Sequence, residues 1–197
     1  YTNREDPRDA LILKPGIQDL KEGGIIGSSS RRRSLQAGKL YPKCSFKNIR
    51  GNVQTRLFKL EHEEYEATIL ALAGLKRLGM EGLVSRIFSV DEMIPSAGQG
   101  ILAVQGRKGE KIPGIEAVDC SDSRFAAKAE RGFVRYLNGG CTSPVAAYAE
   151  TSGNEIRIRG LYYHEETGQF EADMISGEKH KGEMLAERLA RSLKGRF

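Results

Sequence analysis

The sequence predicts an α/β fold with helices on both faces of a sheet, followed by a smaller α+β unit at the carboxyl end. Two observations carry this prediction. Residues 9–80 alternate short apolar runs, typical of strands, with amphipathic stretches, typical of helices. After residue 141 the order changes to three consecutive strand-like runs and one terminal helix. We therefore expect two structural units of different class.

Each element of the α/β part has its own signal in the sequence. Strand-like runs end at glycine or Pro-Gly, and a serine or asparagine precedes the first two helix-like stretches as a candidate N-cap. The predicted strands are DALIL (9–13), GGIIGSSS (23–30), CSFKNIRG (44–51) and YEATILAL (65–72). The predicted helices are RRRSLQAGKL (31–40), VQTRLFKLEHEE (53–64, capped by Asn52) and AGLKRLGM (73–80).

The second half of the chain predicts a different arrangement. The segment PSAGQGILAVQGR (95–107) is typical of a glycine-rich turn followed by a strand, and 109–122 is typical of a polar connection. An amphipathic helix is expected over 122–137, with Phe125, Ala129 and Phe133 on its apolar face. The small α+β unit is then built from strands PVAAYAE (144–150), NEIRIRGLYYHE (154–165) and GQFEADMISGE (168–178), and helix GEMLAERLARSL (182–193).

The composition is that of an ordinary globular protein. Of 197 residues, 39% are hydrophobic and 29% are charged. No apolar run approaches the roughly 20 residues that span a bilayer. Cys44, Cys120 and Cys141 are widely spaced and the histidines are scattered, which argues against a disulfide framework and a metal site. We therefore expect a cytoplasmic protein that binds no metal and no membrane.

Positive charge is concentrated in one part of the chain. The net charge is +5, and nine basic residues but no acidic residue lie between Arg31 and Lys59. Such a stretch creates a local field that attracts anions. The segments 28–33 and 50–56 each lie where a predicted strand leads into a predicted helix, and helix N-termini favour anions. We therefore expect both junctions to contribute to one anion-binding cleft.

The motifs narrow the kind of anion. The pattern GxxxxGK[ST] of a nucleotide-binding phosphate loop is absent, and GQG is too short for a dinucleotide fingerprint. Only three aromatic residues (Tyr41, Phe46 and Phe58) lie among the bases, and no nucleic-acid motif is present. Arginine pairs with carboxylate or phosphate through two parallel hydrogen bonds, a geometry that lysine does not reproduce. A small ligand with several carboxylates is therefore favoured, and nucleic acid is not expected as a partner.

Cys141 stands out among the cysteines. It follows Gly139-Gly140 after a predicted helix, at the boundary between the two units. A lone cysteine is most often a buried structural residue, and that interpretation suits Cys44 and Cys120. On a glycine-rich loop, however, a thiol is accessible and can act as a nucleophile or a covalent anchor.

Several of these segments together resemble the porphobilinogen deaminase family, whose members are also called hydroxymethylbilane synthases. The segments are REDPRDAL, GSSSRRR, IRGNVQTRLFKL, ILALAGLKRLG, PSAGQG and AERGFVRYLNGGC, in the family's order and spacing over nearly the whole chain. The resemblance implies an enzyme that condenses four porphobilinogens head to tail, with loss of ammonia, into linear hydroxymethylbilane. It also implies a monomeric full-length enzyme and an α/β domain similar to those of periplasmic binding proteins.

The resemblance assigns roles to individual residues. It implies that a dipyrromethane cofactor is attached to Cys141 and that its carboxylates, with those of the growing chain, are bound by Ser30, Arg32, Arg33, Arg50, Arg56 and Arg77. Arg31 stands where the family usually has leucine, so we expect it to face solvent.

The resemblance also implies a domain organisation and a missing part. Residues 1–98 correspond to the family's domain 2, 99–121 to the return segment of domain 1, and 122–197 to the cofactor-carrying domain 3. The Lys-Asp pair that supplies the catalytic aspartate belongs to the first third of the family sequence and has no counterpart here; neither Asp6 nor Asp9 matches it. We therefore expect an inactive fragment in which Cys141 carries no cofactor and 99–121 is poorly packed.

An alternative belongs to another class. A non-catalytic small-anion-binding domain, of the periplasmic-binding-protein or regulator-effector type, uses the same α/β architecture and releases its ligand unchanged. Such a protein needs no thiol at position 141. A two-pyrrole adduct on Cys141, detected by mass spectrometry of the full-length protein, distinguishes the two functions.

Overall fold

The computed structural model describes residues 1–138 and 144–197. The chain divides into two compact units. One, which we call the continuous unit, is formed by the unbroken segment Arg8–Pro95, with Pro144 the one other described residue assigned to it. The other, which we call the discontinuous unit, combines Tyr1–Pro7, residues 96–138 and Val145–Phe197. The first unit is therefore inserted, in sequence, into the second.

The continuous unit alternates strands and helices as the sequence predicts. A short 3₁₀ turn (Glu81–Leu83) follows its last helix. Its elements are β1 (Asp9–Leu13), β2 (Ile25–Gly27), α1 (Arg31–Leu40), β3 (Ser45–Lys47), α2 (Val53–His62), β4 (Ala67–Ala71), α3 (Leu72–Arg77) and β5 (Arg86–Ile87). The two-residue strand β5 was not predicted, since its sequence has no strand-like pattern.

Within residues 8–95 these five strands form one mixed sheet in the order β3-β2-β4-β1-β5. Strand β2 pairs in parallel with β3 and β4, whereas β1 runs antiparallel to β4, with Asp9 opposite Ala71. The carboxyl ends of β3, β2 and β4 therefore meet at one edge of the sheet, which we call the carboxyl edge. The amino end of β1 lies at the same edge.

Alternating side chains of the strands bury both faces of this sheet. Ala10 and Ile12 of β1 pack with Leu60 of α2 and Leu75 of α3 on one face. Leu11 packs on the opposite face, in the cluster that contains Ala37 of α1 and Phe88. The prediction of helices on both faces is confirmed, since neighbouring residues of a strand point to opposite sides.

The discontinuous unit contains the predicted α+β arrangement. Its sheet is antiparallel in the order β6-β7-β8, and α4 and α5 share one apolar core with it. The elements are α4 (Ser121–Tyr136), β6 (Ala146–Ser152), β7 (Glu155–His164), β8 (Gln169–Glu178) and α5 (Gly182–Lys194). Phe133 of α4 lies so close to β7 that a Cβ atom at Gly160 would be 2.4 Å from its ring.

The two segments that flank the inserted unit lie side by side within the discontinuous unit. The amide of Glu5 donates to the Gly100 carbonyl over 3.0 Å, and the Gln99 side chain donates to the Pro7 carbonyl over 2.6 Å. Arg4 pairs with the fully buried Glu130 of α4 over 2.7 Å. Both covalent connections to the inserted unit are thus held at one place.

The strand predicted within 95–107 is wrong. Residues 97–100 form a turn, but 101–107 have no regular structure, and Leu102 and Val104 are about half exposed. The amide of Thr2 donates to the Leu102 carbonyl, yet a few isolated bonds do not make a ladder. Most of 101–120 is exposed apart from a short 3₁₀ turn at Ile115–Val118. Among the described residues, none of the helices is long and apolar enough to cross a membrane.

Candidate anion-binding site

The β2–α1 junction is organised by its three serines. Ser30 is the N-cap of α1, and its hydroxyl accepts a hydrogen bond from the Arg33 amide over 3.4 Å. The Ser28 hydroxyl accepts from the Ser30 amide over 3.2 Å. The Ser29 hydroxyl donates to the Ile49 carbonyl over 2.8 Å, which ties this junction to the loop after β3. The serines therefore fix the helix start and join two neighbouring loops.

The β3–α2 junction has a matching construction. Asn52 caps α2 by accepting from the Thr55 amide over 2.8 Å. Gly51 adopts a positive φ of 124°, and a Cβ atom there would lie 2.6 Å from Thr55. The half-buried Arg56 donates from Nε to the Gly51 carbonyl over 2.8 Å. This bond holds the Arg56 side chain back against the loop at the carboxyl edge.

Arg32 and Arg33 converge on a residue that the sequence reasoning set aside. Asp9, fully buried at the amino end of β1, accepts from Arg32 over 2.7 Å and from Arg33 over 2.9 Å. Arg32 also donates to the Ile94 carbonyl over 2.8 Å, and Arg33 to the Ile69 carbonyl over 3.1 Å. The signal in the sequence was an acid at the head of the otherwise apolar DALIL, a position where a buried carboxylate needs a cationic partner.

The cluster keeps an excess of positive charge. Two guanidinium groups face one carboxylate, and Arg56 lies near enough for its charge to lower the pKa of Arg33 further. Burial is the main cause of the lowered pKa of Arg33, and Asp9 acts in the opposite direction. Among the described residues, the buried Nε of Arg32 has no hydrogen-bond partner. No acid lies in the first turn of α1 or α2.

The structure brings some of the predicted site residues together. Ser30, Arg33 and Arg56 lie at the carboxyl edge, together with the buried Arg32. Arg50 is exposed in the loop before α2, also at this edge. Arg77 is exposed at the far end of α3, and nothing in the geometry of α3 directs it to the edge. Cys141 lies outside the described residues.

Three other residues complete the comparison with the sequence. Arg31 is exposed at the first position of α1, as predicted. Cys44 and Cys120 are free thiols, but both are half-buried, so a fully buried structural role is wrong for them. Cys120 occupies the N-cap position of α4, where hydrogen bonds from Ser123 lower the pKa of its thiol. Burial raises the pKa of Cys44.

This arrangement is chemically suited to an anion with more than one charged group. Two helix N-termini offer backbone N–H groups, and guanidinium groups lie beside them at the same edge. The serines and Asn52 stabilise the helix starts, so the donors are fixed before any ligand arrives. A fixed set of donors loses little freedom on binding.

Comparisons with known proteins agree with this construction. Residues 1–112 match the family model described as porphobilinogen deaminase, dipyromethane cofactor binding domain. Residues 124–195 match the model of the porphobilinogen deaminase C-terminal domain. The two matches together cover both structural units.

Curated relatives show the same family over nearly the whole chain. Porphobilinogen deaminase of Ruminiclostridium josui is 48% identical over 193 residues, which is 98% of this chain and 65% of the relative. Those of Alkaliphilus oremlandii and of a Nostoc species are 45% and 37% identical, over 98% of this chain and 65% and 62% of their own lengths. The chain thus spans somewhat less than two thirds of the relatives that it matches. On this evidence the chain belongs to the porphobilinogen deaminase family.

Proposed function

We propose that this chain forms the carboxylate-binding and cofactor-carrying part of a hydroxymethylbilane synthase. Such an enzyme condenses four porphobilinogens head to tail, releases ammonia and builds the product on a covalently bound dipyrromethane. The observation that carries the proposal is the convergence of Ser30, Arg33 and Arg56 at the carboxyl edge of one sheet. The match to a cofactor-binding family model supports it.

The residues at the carboxyl edge suit the side groups of pyrroles. Porphobilinogen carries an acetate and a propionate, so a dipyrrole presents four carboxylates. Guanidinium groups and helix N-termini are the donors that bind such groups. The unpaired Nε of Arg32 is a further buried donor. When bound, the dipyrromethane supplies the terminal pyrrole carbon that the first substrate joins.

We assign the remaining site residues by the same chemistry. Ser30, Arg32, Arg33, Arg50 and Arg56 hold carboxylates of the cofactor and the growing chain. Arg77 has the weakest support of the six, because it lies at the far end of α3. For Cys141 the proposal is a thioether bond to the cofactor, since a thiolate is the strongest nucleophile that the segment NGGCTS offers.

The proposed reaction also needs a carboxylate beside the reacting pyrrole nitrogens. A substrate that loses ammonia develops positive charge, which an anionic group stabilises. Asp9 does not suit this role, because it is fully buried and already paired with two arginines. We propose that the catalytic aspartate lies outside these 197 residues.

The finer assignments of domains and partners remain part of the proposal. By sequence we assign residues 1–98 to the family's domain 2, 99–121 to the return segment of domain 1 and 122–197 to the cofactor-carrying domain 3. The compact units differ from this assignment at its ends, since Tyr1–Pro7 packs with the residues from Ser96 onward. The exposed apolar residues of 101–120 support a missing neighbour for the middle segment. We further propose a monomeric full-length enzyme in the cytoplasm that does not bind nucleic acid. The few, scattered cysteines support a reducing compartment.

Binding of porphobilinogen to the 197-residue chain tests the proposed site. Isothermal titration at low ionic strength is expected to show binding, whereas pyrrole without carboxylates is not expected to bind. Arg56→Gln should weaken binding about tenfold or more, because it removes a charge-assisted hydrogen bond. The matched control is Lys21→Gln, which removes one exposed positive charge on the amino side of β2. Equal weakening by both variants would mean that binding depends only on the total charge of the protein, which would contradict the proposal.

A further inference from the structure

Packing alone does not explain why an aspartate occupies position 9. It opens β1, its side chain is fully buried, and it faces two positive side chains from one helix. A buried carboxylate is costly unless its charge is balanced and its oxygens accept hydrogen bonds. Here both oxygens accept, so the residue is retained in a strongly defined geometry.

The two oxygens of Asp9 divide between the two arginines. Oδ1 accepts from Nε and Nη2 of Arg33, each over 2.9 Å. Oδ2 accepts from Nη1 of Arg32 over 2.7 Å. Arg32 and Arg33 are consecutive helical residues, whose side chains leave the helix about 100° apart. One carboxylate between them therefore brings two diverging guanidinium groups together.

Each arginine is held at a second point as well. Arg32 Nη1 donates to the Ile94 carbonyl over 2.8 Å, and Gln36 pairs with both the carbonyl and the amide of Ile94 over 3.1 and 2.7 Å. Arg33 Nη1 donates to the Ile69 carbonyl over 3.1 Å. The Arg33 guanidinium is thus held by Asp9 on one side and by a backbone carbonyl on the other, whereas both hydrogen bonds of Arg32 leave its Nη1 atom.

We propose that Asp9 is a positioning residue for the carboxylate site: it orients Arg32 and Arg33 and leaves the pair with a net charge of one. This inference rests on the proposed function for the identity of the ligand. Without Asp9, two buried positive charges repel each other, and the vacated space attracts a carboxylate of the ligand into the wrong place. With Asp9, a ligand carboxylate meets donors that are already oriented.

The test compares Asp9→Ala and Asp9→Asn with the parent 197-residue chain in two measurements. The first is thermal unfolding in sodium formate and in sodium chloride of equal ionic strength. Asp9→Ala should lower the midpoint of unfolding by about 10 °C or more, because it removes the carboxylate that balances the buried arginine charges. Formate should recover a large part of that shift, because it fits the space of the missing carboxylate, and chloride should not. The control Glu22→Gln, which breaks an exposed ion pair with Lys43, should show neither effect.

The second measurement is the affinity for porphobilinogen well below the unfolding midpoint. The folded Asp9→Ala protein should bind about tenfold more weakly or worse, and formate should restore part of this affinity. In the parent protein formate should only compete. A residue with a purely structural role would leave the affinity of the folded protein unchanged. Should Asp9→Ala not fold, Asp9→Asn keeps one acceptor and permits the affinity measurement, with weaker binding expected and no recovery by formate because the amide fills the space of the carboxylate.

The outcomes separate this inference from the proposed function. If the parent protein does not bind porphobilinogen, the proposed function fails, and formate-specific stabilisation of Asp9→Ala still decides whether Asp9 balances the arginines. If the parent binds and the folded variants bind equally well, the positioning role is overturned. An equal response of Asp9→Ala to formate and chloride would also overturn it.

Discussion

At position 32 the charge of the side chain and its shape contribute separately. Arg32 reaches a carboxylate and a backbone carbonyl from a side chain that is only 4% exposed. A lysine ammonium is a compact point charge on a flexible stem and does not present donors in a planar fork. Arg31, one residue earlier, is exposed. Neighbouring arginines in one sequence run therefore differ in what they do.

Arg32→Lys should destabilise the inserted unit by about 2 kcal/mol, because one of its two buried hydrogen bonds is lost while the charge remains buried. Arg31→Leu, as the control, should change the stability by no more than about 0.5 kcal/mol. Chemical denaturation of both variants measures the difference. Similar losses for the two would mean that the arginines are assigned to the wrong positions in GSSSRRR.

The sequence predicted where these arginines lie better than it predicted their partners. Junctions between strands and helices are local features, marked by Ser30 and Asn52 as caps, so the sequence predicted both junctions correctly. The pairing of Asp9 with Arg32 and Arg33 spans more than 20 residues of chain. It depends on β1 lying antiparallel beside β4, and no local pattern encodes that pairing.

Among the elements, β7 shows how one glycine controls the contact between a strand and a helix. Gly160 lies under the ring of Phe133. A Cβ atom added at Gly160 would also lie 3.1 Å from the side chain of Leu189 in α5. The alternation of buried residues in NEIRIRGLYYHE suggested the strand, but nothing in it suggested that α4 comes this close. Helix-to-sheet distance is set by the size of the residues that meet, which a single strand does not reveal.

Gly160→Ala should therefore destabilise the discontinuous unit by about 1–3 kcal/mol through overpacking. Gly132→Ala provides a matched control in α4, because a Cβ atom there meets its neighbours only at 3.8 Å or more. That change should stabilise the unit by up to about 1 kcal/mol, since alanine favours a helix over glycine. Thermal unfolding of the two variants should shift in opposite directions; a shift in the same direction would contradict the packing argument.

The failed prediction of a strand at 101–107 has a physical reason at the same scale. ILAVQGR has an apolar pattern, but a strand exists only where a neighbour completes its hydrogen bonds. Helices satisfy their hydrogen bonds internally, and for that reason α1, α2, α4 and α5 were predicted to within a few residues. Strand β3 has three residues, whereas eight were predicted, because only Ser45–Lys47 pair with the neighbouring strand β2.

For the whole molecule, the balance of charge decides what chemistry the 197 residues can do. The described carboxyl edge contributes guanidinium groups and one engaged carboxylate, a charge balance that suits an anion and opposes a developing cation. The α/β class and the separate α+β unit were evident from the order of elements. The insertion of one unit into the other was not, because segments 1–7 and 96–100 have no pattern that pairs them.

These 197 residues should bind porphobilinogen without converting it. Incubation of the purified chain with porphobilinogen should leave the substrate concentration and the intact mass unchanged, with Cys141 as a thiol. The positive control is a full-length family member under the same conditions, in which substrate is consumed and the cofactor adds mass. Sustained turnover by the 197-residue chain would place the catalytic carboxylate within it.

The side-by-side segments at Glu5–Pro7 and Gln99–Gly100 have a consequence for how this architecture could be rearranged. A domain whose entry and exit lie together can be excised, and a short linker can then reconnect the host chain. Conversely, the two ends of the excised domain can be joined and new termini opened in an exposed loop. Residues 8–95 therefore have the layout of a transferable domain, whose carboxyl edge is formed entirely by its own strands and helices.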